Sequence, residues 1–145
     1  MLFVAVLMTL CAGWFAGAAL YITAVEHPAR VQCGPALAVA EFGPSYRRAA
    51  VMQGGLVCIA MVSGLGVWLM GGGLPWLVWA LVLGALIPFT LVVIMPTNKR
   101  LLDPGLDLGS SEASALLAKW GRLHAVRTVV GCAAFLGCLL GLPWL

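Results

Sequence analysis

Two histidines, a glutamate at the end of an apolar run, and an arginine and an asparagine at membrane-proximal positions are the side chains best suited to chemistry in this chain. They fall in three stretches: Glu26-His27-Pro28-Ala29-Arg30, Pro96-Thr97-Asn98-Lys99-Arg100, and the set Trp120, His124 and Arg127. Histidine titrates near neutrality and can move a proton. Arginine and asparagine side chains can donate hydrogen bonds to an oxyanion, and tryptophan offers a flat face to a planar ligand. Trp120, His124 and Arg127 are spaced i, i+4, i+7, which places them on one helical face. A second chemistry stays open: His27, His124 and Glu26 could ligate a metal, or the two histidines could hold a haem between helices. No His-x-x-His or Glu-x-x-His pair supports it.

The elements that must position these residues are membrane helices. Of 145 residues, 63% are hydrophobic and 9% charged, with mean hydropathy +1.07. A soluble domain carries roughly 25% charged residues. No charge falls in residues 1–25, between Arg48 and Lys99, or after Arg127. About 20 apolar residues cross a bilayer core as a helix. The chain therefore reads as one all-α domain over 1–145, a polytopic four-helix bundle with spans at about 2–25, 49–70, 76–95 and 112–142. A net charge of +3 is too weak for a nucleic-acid footprint. No phosphate-binding or dinucleotide fingerprint is present.

Local signals set the ends of these spans. Residues 1–25 lack the basic leader of a signal peptide, so a retained helix is expected. Gly71-Gly72-Gly73-Leu74-Pro75 reads as a tight turn with Pro75 in the first turn of the next helix. Pro88 should kink the third span, and Pro28 and Pro96 should end or kink their helices where polar residues begin. Ser110 is the expected N-cap of the fourth helix, with Glu112 in its first turn. Gly13-x-x-x-Gly17 and Gly137-x-x-x-Gly141 read as small-residue packing inside the bundle, with a homo-oligomer as the alternative. The five cysteines form no Cys-x-x-Cys pair, and buried free thiols are expected.

Lysine and arginine cluster in the first and third connections, which places that side in the cytoplasm and both termini outside, as in an inner-membrane multi-pass protein. Trp68, Trp76 and Trp144 would form the outer aromatic belt, with Tyr46 and Trp120 marking the inner one. The apolar stretch after Arg127 is only about 15 residues, short of a full span. The fourth helix must therefore carry Trp120, His124 and Arg127 into the membrane. An arginine at mid-membrane costs roughly 2.5–3.5 kcal/mol on insertion scales, so Arg127 should face inward, with Glu26 as its expected partner. The bland alternative, headgroup anchoring, suits Arg47, Arg48, Lys99 and Arg100 better than His124 and Arg127.

Gly17-x-x-Leu20-Tyr21 leading to Glu26-His27-Pro28-Ala29-Arg30, then Pro96-Thr97-Asn98-Lys99-Arg100-Leu101-Leu102, then Trp120-x-x-x-His124-Ala125-x-Arg127-Thr128 resembles the anthrone oxygenase-like family of small four-helix membrane proteins. The resemblance implies oxygenation of an anthrone-type planar aromatic by dioxygen with no metal or other cofactor. The positions that match the family are Glu26, His27, Arg30, Asn98, Trp120, His124 and Arg127. Glu26, His27, Asn98, His124 and Arg127 are then the candidate catalytic residues, and Trp120, Arg30 and Thr97 the candidate substrate-binding ones. Such a reaction needs a base, for which His27 and His124 are both candidates, donors for the oxyanion, and a dry aromatic slot. A bilayer supplies both the hydrophobic substrate and dioxygen. Outside that resemblance, the residues also fit a non-enzymatic small-molecule binder or partner protein.

Overall fold

A computed structural model describes residues 1–144. Among them, Leu2–Gln32, Pro35–Gly72, Leu74–Leu101 and Ser111–Trp144 are four helical columns long and apolar enough to cross a membrane. The first column is α1 (Leu2–Tyr21), a π-helical stretch (Ile22–Glu26) and α2 (His27–Gln32). The second is α3 (Pro35–Val67) with a π-helical end at Trp68–Gly72. The third runs through α4 (Leu74–Gly84), α5 (Leu86–Phe89), a π stretch (Thr90–Ile94) and α6 (Met95–Leu101). The fourth is α7 (Ser111–Gly141), closed by a 3-10 turn at Leu142–Trp144.

These columns outrun the expected spans, most of all at α3, which begins at Pro35 rather than Ala49. At 1.5 Å per residue a 31-residue column reaches about 46 Å, well past the roughly 30 Å hydrocarbon core. The excess length carries the polar ends.

Two of the three prolines do not end their helical columns. Pro28 and Pro96 end nothing: each sits in the first turn of α2 or α6, directly after a five-residue π stretch. Widening to a π turn accommodates the missing N–H and the ring clash that would otherwise break the helix. Three residues before Pro88 the α-helical pattern is interrupted, with Ala85 (ψ −18°) as a turn between α4 and α5. The glycine turn forms as expected: Gly71 and Gly73 adopt φ of 89° and 93°, and Pro75 opens α4. Ser110 caps α7, its Oγ accepting from the Ala113 N–H at 3.1 Å.

Packing divides into two clusters. One surrounds Met8, Phe15, Val67 and Leu83; the other, at the polar end, surrounds Phe42, Ile94, Leu117 and Trp120. Trp76 is buried rather than part of an outer belt, packing beside Gly141, while Trp68 and Trp144 are exposed. Gly137 meets the Trp79 ring with no room for a Cβ, so this glycine pair serves contacts within the chain. All five cysteines are free, but only Cys11 and Cys138 are buried; Cys33 and Cys58 are exposed.

Between the third and fourth columns, Arg100 binds Asp103 at 2.6 Å and Glu112 at 2.7 Å. Asp103 also accepts from the Gly105 N–H. That hydrogen bond first, and Arg100 second, hold the Asp103 carboxyl below its ordinary pKa.

Candidate active site

The helical stripe on α7 faces inward. Trp120 and His124 are buried, and together with Arg127 they line a small cavity that Glu26 and Arg30 also reach. Its volume is about 20 Å³, room for about one water-sized molecule. Phe42, Ser45, Tyr46 and Gln53 of α3 supply the opposite wall. The Trp120 indole stacks on the His124 imidazole (centroids 4.7 Å apart, 23° between planes) and takes the edge of Phe42 at 5.3 Å. These contacts fix the imidazole by packing.

Arg127 does not meet Glu26. Its Nη2 donates to Gln53 Oε1 at 2.8 Å, and its guanidinium lies 5.5 Å from the Phe15 ring centroid. Glu26 instead pairs with Arg30. The reason is local: because α2 continues past Pro28, Arg30 stands one helical turn beyond Glu26 on the same face. Arg30 also forms an ion pair with Glu41, its Nε 2.8 Å from Oε2, and Ser45 donates to Glu26 at 2.7 Å, so the ion group ties α2 to α3. Gln53 is 2% exposed, and its Nε2 and the Nε of Arg127 have no hydrogen-bond partner among the described residues. Both donor nitrogens belong to side chains that line the cavity.

A second, larger cleft adjoins the first. It measures about 200 Å³ and lies between α3 and the part of the third column after Ala85, with Gly54, Leu86, Thr90 and Leu91 in its walls. Tyr46, Ala50, Gln53 and Arg127 border both spaces. The break at Ala85 and the π stretch that follows provide the residues of one wall, and Leu91 and Gly54 on its rim are exposed. A wider groove of about 610 Å³ between α1 and α3 is lined by Trp14, Leu56, Ile59 and small residues, with no titratable side chain.

Three predicted site residues lie outside the cavity lining. His27 packs its ring against Trp120 at 5.1 Å and against Gly121, where an added Cβ would come within 2.6 Å of its Nε2. Thr97 and Asn98 are fully buried in α6, and neither the Thr97 hydroxyl nor the Asn98 amide has a partner among the described residues. Gln53, Tyr46 and Ser45 were not singled out as site residues by sequence reasoning. A glutamine in an apolar run was the available signal for the first, since buried polar groups in a membrane need a partner. No group of three or more His, Cys, Asp or Glu residues among the described residues could hold a metal ion.

Comparison with known proteins bears on this geometry. The anthrone oxygenase family model matches residues 42–137, which include Gln53, Thr97, Asn98, Trp120, His124 and Arg127 but not the first column. Anthrone oxygenase tpcL of Aspergillus fumigatus is 36% identical over 77 residues, covering 50% of this chain and 45% of that protein. The chain thus matches about half the length of that curated relative. No solved structure matches. With two thirds of its length matched by the family model, this chain belongs to the anthrone oxygenase family.

Proposed function

We propose that this membrane protein oxygenates a hydrophobic, planar, anthrone-type substrate with dioxygen, using His124 as base and Arg127 with Gln53 as oxyanion donors. One observation carries the reading: Arg127 and Gln53 stand on the common wall of the histidine-lined cavity and a cleft on the bundle's lipid-facing flank. Drug-sized ligand pockets span roughly 300–1,000 Å³. A cleft of about 200 Å³, open on one side, suits a compact flat molecule arriving from the bilayer.

The chemistry balances without a further reductant. The methylene of an anthrone lies between two aryl rings and is conjugated to a carbonyl. His124 takes one methylene proton, and the resulting oxyanion is held by the free N–H groups of Arg127 and Gln53. Such donors gain strength where water is excluded. The anion passes one electron to dioxygen, the radical pair closes a C–O bond, and the imidazolium returns its proton to give a hydroperoxide. Loss of the second methylene proton with O–O cleavage leaves the quinone carbonyl, and the expelled oxygen departs as water. Trp120 holds the base in place, while Glu26 and Arg30 brace the cavity.

The concentration of lysine and arginine at this end of the bundle supports a cytoplasmic location for it, with both termini on the opposite side. Purified protein in lipid nanodiscs, supplied with a dihydroxyanthrone in air, should form quinone above the spontaneous rate. His124→Gln should return the rate to background. Tight binding without turnover would favour the binder reading instead.

A further inference from the structure

The His124 imidazole is held at its inner edge by two hydroxyls. Thr23 Oγ lies 3.0 Å from His124 Nδ1 and 2.7 Å from Thr128 Oγ. Thr128 Oγ in turn lies 3.1 Å from the carbonyl oxygen of Ala19 and 3.4 Å from that of His124. Thr23 sits in the π stretch of the first column, and Thr128 one turn beyond His124 on α7.

Hydroxyls can give or take, but a carbonyl oxygen only accepts. If Thr128 donates to Ala19, it can accept from Thr23, and Thr23 can accept from an N–H at His124 Nδ1. All three contacts are then hydrogen bonds. In the reverse direction Thr128 donates to Thr23 and Thr23 donates to a bare Nδ1. The short approach of Thr128 to the Ala19 carbonyl then becomes a contact between two oxygen lone pairs. Between a half-buried Thr23 and the buried Thr128 and His124, inside an apolar bundle, the arrangement that satisfies every group prevails.

We infer that Thr23 and Thr128 are positioning residues that lock His124 in the tautomer protonated at Nδ1, leaving Nε2 as the unprotonated nitrogen toward the cavity. This rests on the base role of His124 proposed above. A neutral imidazole carries one donor and one acceptor nitrogen, so fixing the inner edge dictates the outer one. The device needs no carboxylate: the Ala19 carbonyl, a fixed backbone dipole, serves as its terminus. The π stretch brings Thr23 to it, which gives that local widening a purpose beyond accommodating Pro28.

Nitrogen-15 NMR of histidine-labelled protein in nanodiscs, well above the ordinary histidine pKa, reads the tautomer directly, with His27→Gln assigning the two rings. His124 in the native chain should show its proton on Nδ1. Thr128→Val frees Thr23 to donate to Nδ1, and Thr23→Val removes the acceptor; both should move the proton to Nε2. Thr23→Ser should keep it on Nδ1. In turnover, the two valine variants should lose about 10- to 100-fold in kcat with little change in KM, a part of the roughly 10²–10⁴-fold that a general base contributes, and Thr23→Ser should restore the rate. A native ring protonated at Nε2, or valine variants that keep the native pattern, would overturn the inference. Should the NMR pattern hold while no turnover is found, the oxygenase reading fails and the tautomer lock stands.

Discussion

Gln53 is the position at which fold and proposed chemistry can be separated. Its Oε1 accepts from Arg127 at 2.8 Å, its own Nε2 is buried without a partner among the described residues, and the residue borders both cavity and cleft. Gln53→Leu leaves a guanidinium N–H without its acceptor inside the bundle. Hydrogen bonds to charged groups contribute about 1.5–3 kcal/mol, so thermal stability in nanodiscs should fall by that order. Turnover should fall with it, because Arg127 loses its aim. Gln53→Glu spares the fold: a carboxylate in the same place pairs with Arg127 and keeps it there, which offsets the cost of desolvating a second ion. It also occupies the guanidinium charge and replaces an N–H donor with an anion where an oxyanion must sit. Losing one oxyanion donor elsewhere costs about 10²–10³ in kcat. Gln53→Glu should therefore remain folded and lose activity on that scale. Melting curves followed by intrinsic tryptophan fluorescence, alongside quinone formation, check both arms. A leucine variant unchanged in both, or a glutamate variant with native turnover, would refute the reasoning.

Further expectations concern other parts of the bundle. Gly54→Leu should leave the fold intact, since no heavy atom lies within 4 Å of a Cβ built there, yet raise KM sharply by filling the cleft. Gly121→Ala should cost about 1–3 kcal/mol through overpacking against His27, read as a lower melting temperature. The Asp103 carboxyl, held below its ordinary pKa by Gly105 and Arg100, stabilises its loop above the unfolded value near 3.9. That contribution is lost as pH falls through the depressed folded value, so Gly105 amide exchange should quicken there before the helices melt. A membrane-impermeant maleimide should label exposed Cys33 from the cytoplasmic side of inverted vesicles and not from the outside of intact cells.

Much of this arrangement is legible in the residues themselves. The charge-free runs announce four columns, and the spacing of Trp120, His124 and Arg127 announces a shared face, which matches their common place in the cavity lining. What stayed hidden depends on backbone detail. The π stretches before Pro28 and Pro96 carry no sequence mark, so the continuation of α2, and with it the Glu26–Arg30 pair, could not be foreseen. Position along the chain points Arg127 to Glu26, the acidic residue adjoining the end of an apolar span, whereas its partner is a neutral amide on α3, which leaves one ion fewer to desolvate. Thr23 and Thr128 were invisible as partners because a membrane-helix hydroxyl can always bond its own preceding turn.

Where the flat substrate docks is the claim on which the mechanism depends. Anthraquinone, which abstracts hydrogen from its neighbours when irradiated, can be placed in the bilayer of a nanodisc and its adducts mapped by peptide mass spectrometry. The account predicts labelling of the cleft walls within 46–57 and 86–95, suppressed by excess anthrone and by Gly54→Leu. Labelling concentrated instead on the wider groove around Trp14 and Ile59, indifferent to both, would contradict it.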